Sequence, residues 1–190
     1  DWHHISFVRY GNTATIYIDG VADGTSDLTG LTLIDGTGDL GIGRLGLYDN
    51  VYTTGYLDEL RISNSARYTA NFNPPKTAFT SDANTKLLLH FDGGEGSVTF
   101  TDSETTPKTV TPVGNAIQVI GHGATAVADV KTENTQFKFG TTAAYFDGTG
   151  DYISLPDSGD WAFGAGDFTI DFWVRMTATG YSSIFYDNPV

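Results

Sequence analysis

The chain has 190 residues, 39% of them apolar and 13% aromatic, with a formal net charge of −13 and no cysteine. Disulfides, thiolate chemistry and Cys-based zinc sites are therefore excluded. A surface this acidic repels phosphate backbones and anionic headgroups, so neither nucleic acid nor membrane insertion is expected.

Asp1-Trp2-His3-His4 leads straight into a strand pattern, so these residues are not expected to be a signal peptide. Residues 5–10 and 13–18 are β-rich runs joined by Gly11-Asn12, which predicts a hairpin. In the second run Ala14, Ile16 and Ile18 alternate with Thr15 and Tyr17, as in a half-buried strand. Short strands are predicted at 31–34 and 40–42, then a loop rich in Gly, Tyr and Asn over 44–55, then a strand at 56–62. From 63 to 85 the chain is polar, turn-rich and broken by Pro74-Pro75, and its 76–85 portion reads as a linker. Lys86-Leu-Leu-Leu-His-Phe91 is a continuous apolar run suited to a strand covered on both faces. Further strands are predicted at 98–100, 116–120, 143–146, 152–155 and 168–176. Many short strands separated by Gly and Asp turns imply an all-β antiparallel sandwich of jelly-roll type.

Several of these segments form a recognisable set. Trp2-His-His-Ile-Ser-Phe-Val-Arg, Ile16-Tyr-Ile-Asp-Gly-Val21 and Gly55-Tyr-Leu-Asp-Glu-Leu-Arg-Ile62 resemble the second half of a laminin-G-like, concanavalin A-like lectin/glucanase domain. Leu88-Leu-His-Phe-Asp-Gly93, Ala144-Tyr-Phe-Asp-Gly148 and Gly166-Asp-Phe-Thr-Ile-Asp-Phe-Trp-Val174 resemble its first half. The halves stand in reversed order, and the family's middle strands are missing. The expectation is therefore that 1–75 is the second half of one domain, 76–85 a linker, and 86–190 the first half of another, in a tandem array completed by neighbouring copies. One circularly permuted domain over 1–190 is the alternative.

Glycosidases of this fold carry Glu-x-Asp-x-x-Glu on one strand, because cleavage needs an acid and a nucleophile across the sugar bond. Neither 167–173 nor Asp58-Glu59 has that pattern, and adjacent strand residues point to opposite faces. No enzymatic activity is expected. His3, His4, His90 and His122 lack ligand spacing, and the Gly-x-Gly pieces sit in turns.

A non-catalytic recognition or adhesion module is expected instead, binding a glycan or cell surface within a longer extracellular or virion-surface repeat protein. A fibre spacer and an accessory domain of a polysaccharide-degrading enzyme are the alternatives. The loop residues Tyr48, Asp49, Asn50 and Tyr52 combine aromatic and polar groups on a rigid scaffold, and Trp161 follows the turn Pro156-Asp-Ser-Gly-Asp160 as an exposed stacking platform. These five are the candidate ligand-binding residues. Strand ends that lie close in related sandwiches nominate Asp58, Asp92 and Asp102 for one structural Ca²⁺.

Overall fold

A computed structural model describes residues 1–34, 36–45, 51–120, 137–178 and 184–187, and the regular structure among them is all β. The strands in chain order are β1 (His3–Tyr10), β2 (Thr13–Ile18), β3 (Val21–Asp27), β4 (Leu40–Ile42), β5 (Thr54–Ser63) and β6 (Thr85–Leu89). They continue with β7 (Thr111–Val113), β8 (Ile117–Val119), β9 (Ala143–Asp147), β10 (Tyr152–Leu155), β11 (Phe168–Met176) and β12 (Phe185–Asp187). The larger sheet runs β3-β2-β1-β11-β5-β9-β8, with β6 also on β5; the smaller runs β12-β4-β10-β7. Every pairing is antiparallel.

Segments 1–75 and 86–190 share the large sheet within this one chain. β1 pairs with β11 from His3↔Val174 to Arg9↔Phe168. β11 pairs with β5, and β5 with β6 through Leu60↔Leu89 and Ile62↔Leu87. Each segment alone would leave an apolar face and open edges in water.

Strand alternation sorts side chains into two layers. Phe168, Ile170, Phe172 and Val174 of β11 join Leu87, Leu89, Ile62 and Phe146 in the core between the sheets, where Leu40, Ile42, Ile153 and Leu155 meet them from the small sheet. Leu88 points the other way and packs with Phe79 and Trp173. The Leu-Leu-Leu run is thus buried on both faces, as its lack of alternation implies.

The outer face of the large sheet is covered by residues 64–84, which contain no strand but are tied down along their length. Arg67 N–H donates to Thr169 Oγ1 (2.9 Å), Phe72 N–H to Gly20 O (2.8 Å) and Phe79 N–H to Glu59 Oε2 (2.6 Å). Gly20 has φ +79°, and a Cβ there would collide with the Phe72 carbonyl, so glycine is required at that crossing. Beneath this strap, Ser6, Asp171 and Arg61 stand in one cross-strand row. Arg61 grips Asp171 in a bidentate pair (3.1 and 2.6 Å), and Tyr68 donates to Asp171 Oδ2 (3.0 Å). His4 is fully buried, edge-on to Tyr68, Phe72, Phe79 and Trp173. Burial lowers its pKa to about 4, against the opposing pull of Asp171.

Three expectations change. Residues 31–34 form a loop, not a strand, and its Ile34 is 86% exposed. Arg9 holds that loop in place, donating to the carbonyls of Leu31, Gly11 and Gly164, each at 3.0 Å. Residues 98–100 are irregular. In β2 the buried residues are Ala14 and Tyr17, whereas Ile16 is half-buried and Ile18 is 36% exposed. The physical reason is that Tyr17 packs on Phe72 of the strap, while Ile16 lines an open apolar cleft with Phe7, Phe168 and Phe185.

Candidate functional site

The small sheet turns Leu40, Ile42, Ile153 and Leu155 inward, so period-2 alternation sends Tyr152, Ser154, Thr111 and Val113 outward. These four side chains, with Asp39, Thr109 and Pro156, line an open cavity of about 400 Å³. Ser154 Oγ donates to Asp39 Oδ2 at 2.7 Å. Gly41 on β4 has no side chain, and the space is filled by Arg44, whose Nε would be 3.0 Å from a Cβ. Arg44 in turn lies 3.9 Å over the Tyr152 ring and pairs by a β-bridge with Tyr52. The surface thus combines an aromatic ring, a guanidinium, a carboxylate and hydroxyls.

The residues nominated from sequence meet only in part. Tyr52 borders this surface through Arg44. Tyr48, Asp49 and Asn50 lie outside the described residues. Trp161 is not an exposed platform: it is 4% exposed and packs in the core, its Nε1 donating to Pro156 O (3.4 Å) and Lys108 lying 5.2 Å from its ring. The turn folds the indole under rather than out. Tyr152, Asp39, Ser154 and Thr111 carry no joint signal in the sequence, because β10, β7 and the residue preceding β4 contribute them and only the register aligns them.

The carboxylates are arranged differently from expectation too. Asp58 and Glu59 do not point to opposite faces. A bulge shifts β5 against β11 here, Glu59 has φ +51°, and both side chains are buried with partners on the outer side. Asp58 Oδ2 accepts from the N–H groups of Lys138 (2.6 Å) and Phe139 (2.9 Å), while its Oδ1 is buried without a partner. Burial raises Asp58 to about 8, with Glu59 and Asp92 adding to the rise. Glu59 holds His90 Nδ1 at 2.9 Å, and that hydrogen bond raises the His90 pKa. Asp92 is exposed and accepts from Thr141 N–H (2.6 Å).

Asp102 does not join them. Its oxygens accept from the N–H groups of Leu88, Glu104 and Lys108, which makes it a turn-stabilising residue. Among the described residues no three His, Asp or Glu side chains are grouped to hold a metal. Ca²⁺ takes six to eight oxygens, so Asp58, Asp92 and Asp102 do not fit as its joint ligands.

Two antiparallel sheets, one covered by a strap and one presenting a polar and aromatic outer face, define an all-β concanavalin A-like sandwich. Residues 1–71, from β1 into the strap, match the family model Laminin_G_3, the concanavalin A-like lectin/glucanases superfamily. Neither the curated proteins nor the solved structures contain a match to the chain.

Proposed function

We propose that this chain is a non-catalytic recognition module that binds a glycan or a glycan-bearing surface, within a longer extracellular or virion-surface repeat protein. The concanavalin A-like fold supports a binding module and goes no further by itself. The observation that carries the glycan reading is the outer face of the small sheet. Tyr152 offers a ring for a pyranose face, and Asp39, Ser154 and Thr111 offer hydroxyl-seeking donors and acceptors around about 400 Å³. A non-catalytic role is supported by the burial of both Asp58 and Glu59. In a longer protein the pairing of β5 with β6 seen here can equally be made between successive repeats, so neighbouring copies remain proposed partners.

The test is a glycan array read with the wild-type chain and with Tyr152→Ala and Asp39→Ala. Binding that both variants lose is the expected result. Binding unchanged in both, or none to any glycan, overturns the assignment of this face.

A further inference from the structure

The outer face of the small sheet carries a cation, Arg44, that the chain leaves unpaired among the described residues. Elsewhere the cations find carboxylates: Arg61 is held by Asp171, Arg67 by Asp82, and Lys86 and Lys108 by Asp160. The Arg44 guanidinium has neither an ion pair nor a hydrogen bond among the described residues, and its Nε is buried without a partner. The chain has 23 Asp and Glu against 10 Lys and Arg, so carboxylates to pair it are plentiful. A guanidinium left without one in such a chain points outward, to a group the chain itself does not supply.

The place of Arg44 is set by β4. Gly41 stands opposite Ser154 in the register, and its lack of a side chain lets Arg44 fold back over the strand, where its Nε would lie 3.0 Å from a Cβ. The guanidinium then lies 3.9 Å over the ring of Tyr152, which lines the cavity. A guanidinium held on a ring keeps its N–H donors in its own plane, in the fork that fits a carboxylate. Asp39 lines the same cavity from the other end of β4 and accepts from Ser154 Oγ at 2.7 Å. The face is thus polarised, with cationic donors beside Tyr152 and a hydroxyl acceptor beside Ser154.

That polarity selects the occupant. A sugar acid carries its carboxylate at one edge of the ring and hydroxyls along another. A polyanion is disfavoured, because the net charge of −13 repels it along its whole length. A single carboxylate is not, since that repulsion is screened beyond about 8 Å at physiological salt and contact with Arg44 is closer than that. Resting on the glycan reading of this face, we propose that its ligand is an acidic glycan. A sugar bearing one carboxylate places it on the Arg44 guanidinium beside Tyr152 and turns its hydroxyls toward Asp39, Ser154 and Thr111.

The probes are oligosaccharides carrying a single glucuronate, galacturonate or sialate, each beside its carboxyl methyl ester, titrated into the whole chain by calorimetry. The expected result is that an acid binds about tenfold or more tighter than its ester, as a charge-assisted hydrogen bond implies. In NMR spectra of the wild type the Arg44 side-chain N–H signal should shift with the acid and not with the ester. Arg44→Gln should bring the acid-to-ester ratio to about one, and Arg44→Lys, which keeps the charge but not the planar fork, should keep part of the preference. Thermal melting establishes that each variant is folded. Acid and ester bound alike by the wild type overturn the proposal, as does a preference that survives Arg44→Gln. So does tighter binding of a κ-carrageenan tetrasaccharide, which carries sulfate and no carboxylate. If neutral glycans or the esters bind as well as the acids and Tyr152→Ala abolishes that binding, the glycan reading stands and only the acidic assignment falls. Binding of no glycan, neutral or acidic, overturns both.

Discussion

The two faces of the large sheet are built from the same strands but closed in different ways. On the outer face, polar and charged residues lie in the middle of β1, β5 and β11: His4, Ser6, Asp58, Arg61 and Asp171 are all buried there. The strap walls His4 and Arg61 with aromatic rings and gives Asp171 a hydrogen bond from Tyr68, while Asp58 is held by the N–H groups of Lys138 and Phe139. On the inner face the residues are apolar apart from Arg9, which is satisfied by three carbonyls, yet at β1 and β2 they remain partly open to water. Burial here follows coverage rather than residue type. A face seeded with charges is sealed, and a face of Ile and Phe is not.

The strongest way to break this comparison is to remove one member of the sealed row. Arg61→Leu leaves Asp171 buried with one hydrogen bond from Tyr68 and the His4 ring 3.9 Å away, and uncompensated buried charges cost about 3–5 kcal/mol. Urea denaturation should show a loss of that size. A loss under about 1 kcal/mol would mean that the strap opens readily and the row is solvated in practice.

A smaller effect sharpens the contrast through pH. Folded His4 stays neutral down to about 4, whereas in the unfolded chain it gains a proton below its ordinary 6.5. Between these values the unfolded state holds more protons, so stability falls as pH drops. Asp58 acts in the opposite sense. It keeps its proton up to about 8 when folded and loses it above 3.8 when unfolded, so stability falls as pH rises through that window. The two slopes oppose each other from about 4 to 6.5; from 6.5 to 8 His4 drops out, and the raised pKa of His90 adds to the decline set by Asp58. At about 1.4 kcal/mol per pH unit, its contribution over that last interval is a loss of about 2 kcal/mol. His4→Phe should extend the decline with rising pH down to about 4. Asp58→Asn should instead give stability that rises by about 3 kcal/mol from pH 4 to 6.5 and then falls by about 2 kcal/mol less than wild type up to pH 8. Stability measured by denaturant at half-unit pH steps checks this, and identical profiles for wild type and both variants would refute it.

The sequence shows the strands that carry long apolar runs, because burial on one or both faces writes itself into hydrophobic pattern. β1, β5, β6 and β11 are legible for that reason. β3 is not: Val-Ala-Asp-Gly-Thr-Ser-Asp has neither β-propensity nor alternation, and it is a strand because β2 offers it an edge. The segment 31–34 fails in the other direction, since its apolar residues serve a pinned loop. At the candidate site, Tyr52 was legible as part of an aromatic loop. Tyr152, Asp39 and Ser154 were not, because their meeting depends on cross-strand register. The bulge at Glu59 hides from any period-2 reading, which assumes unbroken alternation.

The smallest expected effect tests whether the open face is part of what holds the fold together. Ile34 is 86% exposed, so replacing it by serine removes almost no buried area. Its loop is positioned by backbone carbonyls that accept from Arg9 and by Leu33 N–H, none of which involves the Ile34 side chain. Ile34→Ser should therefore shift stability by less than about 0.5 kcal/mol in either direction, as surface changes usually do. A loss above about 1 kcal/mol would show Ile34 closing the cleft within the isolated chain in solution. The inner face would then be sealed by its own loop, and the difference between the two faces would disappear.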